Sequence, residues 1–337
     1  MTTDFKEFIQ LAYEDSLDLN STKKAFMQIM NGEISEVQIS SFISLLQKSG
    51  VKSHHMIAAL EVMRKKMLSI NAPSNTMDTC GTGGDGKNSL NISTATAFVL
   101  AATGIPVAKH GNRALTSKCG SADVLKALNI NIDMETSKLE DCLRNTGICF
   151  MFAPNHHPAM KHVAQVRKLL GFRTIFNMLG PLLNPANVKN QIVGVYSKEV
   201  FNIYKEVFEK EDKNVCLIAG HDGNDEISLS GINLVFTNKN GIMQFDPKIL
   251  DCPKMIDDEI KGSDAIFNAD RIIEIFKGKK DTFYNTVCAN AAFGVLINQS
   301  EDFNEKNILK AFNEVQLVVG SGEPLKIIEQ LSKFTNL

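Results

Sequence analysis

The chain has 337 residues, 44% of them hydrophobic and 22% charged, with a formal net charge of −2. That composition excludes a disordered protein, and the near-neutral balance carries neither the electrostatic footprint of nucleic-acid binding nor a polybasic membrane patch. Seven cysteines, at 80, 119, 142, 149, 216, 252 and 288, form no CxxC pair, so they read as reduced thiols of a cytoplasmic protein. The charged N-terminus MTTDFKEFIQ is unlike a secretory signal, and the longest apolar run, FVLAATGIPVA, is too short to span a membrane.

Residues 1–70 read as helices only. FKEFIQLAY, STKKAFMQIMNG, SEVQISSFISLLQKSG and HHMIAALEVMRKKM repeat apolar residues every three or four positions, and such stripes must be buried against each other or against a second subunit. After NAPSN the texture changes. TMDTC, IPVAKHG and ICFMFAP read as strands separated by the helices NISTATAFVLAATG, SADVLKALN and SKLEDCLRNTG. HHPAMKHVAQVRKLLG returns to helix, QIVGVY, KNVCLIAG and INLVF are further strands, and four helices close the chain. This predicts a small all-helical domain, residues 1–70, completed by helices from about 156–190. An α/β domain over 71–337 follows, with a mostly parallel central sheet flanked by helices.

DTCGTGGDGKNSLNIST, residues 78–94, joins a strand to a helix through Gly81, Gly83, Gly84 and Gly86. Glycines there admit positive φ and close ligand approach, and the backbone N–H groups at the helix start suit an anion such as phosphate. It is not a Walker loop, because Asn88 follows Lys87. The GxGxxG spacing of Gly81, Gly83 and Gly86 lacks the acidic residue expected at the end of the next strand. Asn91, Ser93 and Thr94 fall in the first helical turn and can add donors; capping by Asn91 beside a tight structural turn is the plainer alternative. The Asp85 carboxylate would repel a phosphate, and suits a cation or a sugar hydroxyl better.

KHGNRALTSKCGSAD sets Lys109, His110, Asn112 and Arg113 at the carboxyl end of a strand, the edge at which open α/β sheets bind ligands; the alternative is a solvated loop capped at Ser121. HDGNDEIS gathers Asp222, Asp225 and Glu226 after another strand. Crowded carboxylates suit Mg²⁺ that reaches substrate phosphates, although a solvent-facing acidic turn would read the same way. His156, His157 and His162 match no zinc spacing. Arg167 shares a helical face with Val163 and Leu170, so it either snorkels or meets a ligand carboxylate. LGPLLNP, residues 179–185, is a rigid turn able to line an apolar slot, and no GxSxG nucleophile occurs. Together these residues point to magnesium-dependent handling of a phosphorylated substrate without covalent catalysis.

The glycine loop, KHGNRALTSKCGSADVL, HHPAMKHVAQVRKLLGFRTIFNMLGPLLNP and GHDGNDEIS, in this order and spacing, resemble the anthranilate phosphoribosyltransferases of tryptophan biosynthesis. These belong to the nucleoside phosphorylase-like phosphoribosyltransferases, and the resemblance spans roughly residues 1–335. It implies transfer of a phosphoribosyl group from 5-phosphoribosyl 1-pyrophosphate to anthranilate. It further implies that Gly81, Gly83, Gly84, Asp85, Asn91, Ser93 and Thr94 hold the donor, with Lys109 and Thr116 on its phosphates. Asn112 and Arg167 would contact anthranilate, bordered by Gly81, His110, Gly180 and Pro181, and Lys109, Asn112 and Arg167 are the implied catalytic set. Asp225 and Glu226, with Ser93, would organise Mg²⁺, as two ions with the donor. A homodimer through the helical domain is implied, with no nucleic-acid or membrane partner. Cys119, where serine is common, and Ala219, in place of a frequent histidine, depart from the family pattern. A pyrimidine nucleoside phosphorylase and a non-catalytic nucleic-acid-binding relative share the plan and are the competing readings.

Overall fold

In the computed structural model, which describes residues 4–83, 87–114, 118–253 and 255–337, the chain divides into two units. One comprises Met1–Ser69 with Pro154–Pro185, the other Ile70–Ala153 with Ala186–Leu337. The first begins with α1 (Phe5–Tyr13), α2 (Leu19–Asn31), α3 (Glu36–Ser49) and α4 (Ser53–Arg64). Side-chain caps set three of these starts: Asp4 accepts from the Lys6 N–H, Asp18 from Ser21 and Ser35 from Gln38. Because Asp18 takes that role, α2 starts two residues ahead of the Ser21 at which the sequence pattern begins. It stops at Gly32 in the left-handed conformation.

The second unit alternates β1 (Met77–Gly81), α5 (Ile92–Ala102), β2 (Val107–Gly111), α6 (Ser121–Ala127), α7 (Thr136–Thr146) and β3 (Ile148–Phe152). Where the chain crosses back into the first unit, the helix expected from residue 156 is instead broken: after a short α8 (Ala153–His156) come a 3₁₀ turn opened by Pro158, α9 (Lys161–Leu170) and α10 (Ile175–Leu179). Pro158 cannot donate into a preceding turn, and Gly171 ends α9 at φ +64°. β4 (Asn190–Gly194), α11 (Lys198–Phe208), β5 (Asn214–Ala219), β6 (Asn233–Thr237), β7 (Gly241–Phe245), α12 (Asp257–Ile260), α13 (Ala265–Phe276), α14 (Thr282–Asn298), α15 (Glu305–Gly320) and α16 (Glu323–Thr335) complete the chain.

The sheet order is β3-β2-β1-β4-β5-β6-β7. β1 to β5 pair parallel, and β6 and β7 add an antiparallel edge. The strand GIMQF was not anticipated; it is a half-exposed edge strand whose alternation spans only five residues, too short for periodicity to stand out. α14 packs on β4, β5 and α5 and is buried on all sides; its buried polar residues are satisfied internally, Asn290 bonding the Ile227 backbone and the Thr286 carbonyl, and Thr286 the Thr282 carbonyl. Gly294 lets it approach Leu100 and Ile192 more closely than a side chain would allow. No helix among the described residues is long and apolar enough to cross a membrane.

The core of the helical unit is aromatic. Phe5, Phe8, Phe26, Phe42 and Phe176 meet at ring-centroid separations of 5.6–6.2 Å, edge-on or tilted, as ring quadrupoles prefer. Beside it His55 is buried and neutral: its Nδ1 accepts from the Lys52 N–H (3.0 Å), so the proton sits on Nε2, 3.1 Å from the Leu17 carbonyl. Burial, aided by His54, pushes its pKa down to about 4, and burial does the same to His157. Both folded values lie below the unfolded one, so the unfolded chain binds more protons between about pH 4 and 6.5. Their contribution is complete above that window and declines as the solution is acidified, by about 1.4 kcal/mol per pH unit for each ring. Urea midpoints of the helical unit measured from pH 7 to 4.5 should fall accordingly, and His55→Gln should flatten the decline; an unchanged slope in the variant would exclude His55 as a source.

Candidate active site

β1 lies between β2 and β4, so the chain leaves it in one direction and later returns on its other side. Ligands of open α/β sheets bind at such a switch point, outside the carboxyl ends of the strands. Here those ends are Gly81 and Gly194, paired in register. A Cβ on Gly81 would overlap the Asp225 carboxylate, and one on Gly194 the Asp225 carbonyl oxygen. The space is kept for the acidic loop after β5, and Asp225 Oδ2 accepts from the Gly83 N–H at 2.8 Å. Gly83 holds φ +64°, where a side chain is strained. Asp225 is buried and Glu226 half-buried, whereas Asp222 is exposed beside His221 (3.3 Å). Of the three acids the sequence gathers, only two turn inward. They line one recess with Thr79, Cys80, Ser93 and Thr96.

The floor of this region is polar. Lys109 is 3% exposed on β2, and its Nζ donates to the Thr79 carbonyl and lies 3.4 Å from Thr79 Oγ1 and 3.5 Å from Ser93 Oγ. Burial lowers its pKa, while the Asp78 and Glu226 carboxylates act to hold the charge. Asp78, fully buried on β1, accepts from the His110 N–H (3.2 Å) and from Gln191 Nε2 (3.5 Å). Asn91 occupies the cap position of α5 but caps nothing with its side chain. Its amide instead meets the Cys119 carbonyl and Asn268. Thr94 Oγ1 is buried without a hydrogen-bond partner.

In the loop after β2, Asn112 and Arg113 are exposed. Asn112 Oδ1 accepts from the Arg113 N–H (2.7 Å), its carbonyl from Ala122 and Ser121, and the Arg113 guanidinium stands 5.7 Å above the Phe152 ring. The cap of α6 is Gly120 rather than Ser121: a Cβ there would strike Arg113 and Ala114, and Asp123 Oδ2 accepts from both Gly120 and Ala114. Gly84, Asp85 and Thr116 lie outside the described residues.

Three of the predicted site residues belong to the helical unit. Arg167 on α9 is half-buried, its guanidinium 5.7 Å above the Phe176 ring, and no carboxylate among the described residues lies within ion-pair distance. A Cβ on Gly180 would meet nothing within 4 Å, and Pro181 beside it is buried. His156 and His157 are structural: His156 Nδ1 lies 2.7 Å from the Leu68 carbonyl, and His157 is held at the Leu183 backbone. The sequence reading missed Asp78, Thr79, Gln191 and Asn268. A carboxylate within the short strand TMDTC was the one available signal for Asp78.

Comparison with known proteins was consistent along the chain. The model of the glycosyl transferase family a/b domain matches residues 73–322, and that of the family's helical bundle domain residues 8–67. The anthranilate phosphoribosyltransferase of Pelagibacter ubique is 40% identical, over 96% of this chain and 97% of its own. The crystal structure of the anthranilate phosphoribosyltransferase of Thermus thermophilus superposes with a TM-score of 0.91 at 31% identity, over 98% and 99% of the two chains. The Saccharomyces cerevisiae enzyme in complex with phosphoribosyl pyrophosphate and Mg has the same fold, with a TM-score of 0.91 at 24% identity over 98% of each chain.

The crowding at the two strand ends makes a direct prediction. Gly194→Ala forces a methyl group into the Asp225 backbone, which cannot yield as a flexible side chain would. The variant should lose about 2 kcal/mol or more of stability by urea titration and most of its activity. Wild-type values for both would mean that the acidic loop does not depend on this approach.

Proposed function

Because the chain belongs to the anthranilate phosphoribosyltransferase family, we propose a division of labour among its residues for that reaction. The chain transfers the 5-phosphoribosyl group of 5-phosphoribosyl 1-pyrophosphate to the amine of anthranilate, releasing pyrophosphate, in tryptophan biosynthesis. The glycine turn (Gly81, Gly83, Gly84, Asp85), the start of α5 (Asn91, Ser93, Thr94), Lys109 and Thr116 bind the donor. The observation that carries this is the hydrogen bond from Gly83 to Asp225, which joins the glycine turn to the acidic loop at the switch point of the sheet.

Asp225 and Glu226 with Ser93 Oγ are hard oxygen donors lining one recess, and they fit Mg²⁺, in our reading two ions with the donor. Bound there, magnesium supplies charge neutralisation for the departing pyrophosphate. Lys109 adds a fixed positive charge that needs no reorganisation during the reaction. Anthranilate's aryl amine is unprotonated at neutral pH, so attack needs no strong base, and none of the site residues is assigned as one. Arg167, desolvated and without a carboxylate partner among the described residues, is suited to the anthranilate carboxylate. Asn112, His110, Gly81, Gly180 and Pro181 complete the acceptor site. A homodimer through the helical unit and a cytoplasmic location belong to the same reading; exposed Tyr13, Val37 and Leu169 support the former.

Loss of anthranilate fluorescence on mixing with phosphoribosyl pyrophosphate and Mg²⁺ measures the reaction. Arg167→Ala should raise the anthranilate KM by about tenfold or more, the cost of one charge-assisted pair, with the donor KM near normal; unaltered anthranilate kinetics would remove Arg167 from the acceptor site. Asp225→Asn combined with Glu226→Gln should shift the magnesium dependence of turnover upward by about tenfold or more. Full activity at trace magnesium would contradict the assignment.

A further inference from the structure

We infer that Asn268 is a positioning residue that fixes which end of the Asn91 amide faces the phosphoribosyl donor. The inference rests on the reading that Asn91 binds that donor. Asn268 lies on α13, 177 residues from Asn91, and is 1% exposed. The chain of bonds has a direction. The Ser263 backbone N–H can only donate, and it donates to Asn268 Oδ1 at 2.9 Å. The other end of the Asn268 amide is therefore its NH₂ group, which donates to Asn91 Oδ1 at 2.9 Å.

Asn91 Oδ1 is thus committed inward, and its own NH₂ must turn away from α13, toward the Cys119 carbonyl at 3.4 Å. A primary amide carries two N–H donors, and Asn91 is only partly buried, so the second can meet a ligand oxygen. Phosphate and ribose oxygens bearing negative charge accept hydrogen bonds, so the orientation that Asn268 enforces is the productive one. Reversed, Asn91 would present a carbonyl oxygen to an anion. The segment holding Ser263 is itself tied to the exit of the glycine turn. Leu90 donates to the Ile260 carbonyl (2.8 Å) and Gly262 to the Asn88 carbonyl (2.7 Å), so the relay is anchored at both ends.

The test is a double-mutant cycle read as KM for phosphoribosyl pyrophosphate and, separately, for anthranilate. Asn268→Asp keeps the acceptor for Ser263 but sets an acceptor against Asn91 Oδ1, favouring reversal of that amide. We expect the donor KM to rise about tenfold or more, the scale of one hydrogen bond to a charged group, with the anthranilate KM within about twofold of wild type. Asn91→Ala should raise the donor KM similarly, and adding Asn268→Asp to it should change nothing further. Should Asn268→Asp fold poorly, Asn268→Leu releases the Asn91 amide without adding charge, and a smaller rise confined to the donor is expected. If Asn91→Ala leaves the donor KM unchanged, the donor-binding reading falls and this inference with it. If Asn91→Ala raises it while both Asn268 variants behave as wild type, the orientation role alone is overturned. An undiminished penalty from Asn268→Asp in the Asn91→Ala background would mean repulsion or general damage, and would also overturn it.

Discussion

Asp225 and Gly83 are 142 residues apart in sequence, yet the Gly83 N–H donates to the Asp225 carboxylate where β1 and β4 end. That bond can form only because Gly81 and Gly194 carry no side chain in the space Asp225 fills. It joins a backbone turn built for anions to a pair of carboxylates suited to a divalent cation. A substrate bearing phosphates together with its metal is the ligand that satisfies both. The rest of the α/β unit holds these two loops in register: five parallel strands bring β1 and β4 side by side, and the buried α14 locks β4 and β5 from one face.

Beneath the loops lies a second constraint, the buried ammonium of Lys109. Burial disfavours its charge, and the Thr79 carbonyl and neighbouring hydroxyls compensate by accepting from it. A cation fixed in this way contributes to binding and catalysis without rearranging when charge develops on a leaving group. Asp78 plays a complementary part. Buried on β1, it ties the His110 backbone and Gln191 together, and so braces the strand end from which the KHGN loop departs. Half-buried Arg167, stacked on Phe176, presents a comparable positive charge in the helical unit.

The amide relay through Asn268 adds a different kind of specification. Charge and burial decide where Asn91 sits, but only a directional chain of donors and acceptors decides which of its two ends faces outward. Such chains are sensitive to single-atom changes that leave volume untouched.

By itself the sequence determined the local chemistry and the order of the elements. Glycines between a strand and a helix, acids after a strand and the alternation of apolar periods are encoded by neighbours in the chain, because backbone propensity and periodicity act over a few residues. The resemblance, long and ordered, narrowed these pieces to one family. Tertiary structure alone decided that Asp225 and Glu226 turn inward while Asp222 does not, since that depends on Gly81 and Gly194 at distant strand ends. It alone showed Asn91 bound by α13 rather than capping α5, and Asp78, Thr79 and Gln191 as the floor of the site. A single polar residue in a strand or helix leaves no periodic trace, and its partner is chosen by packing between segments far apart in the chain; only the folded backbone brings the two within hydrogen-bonding distance.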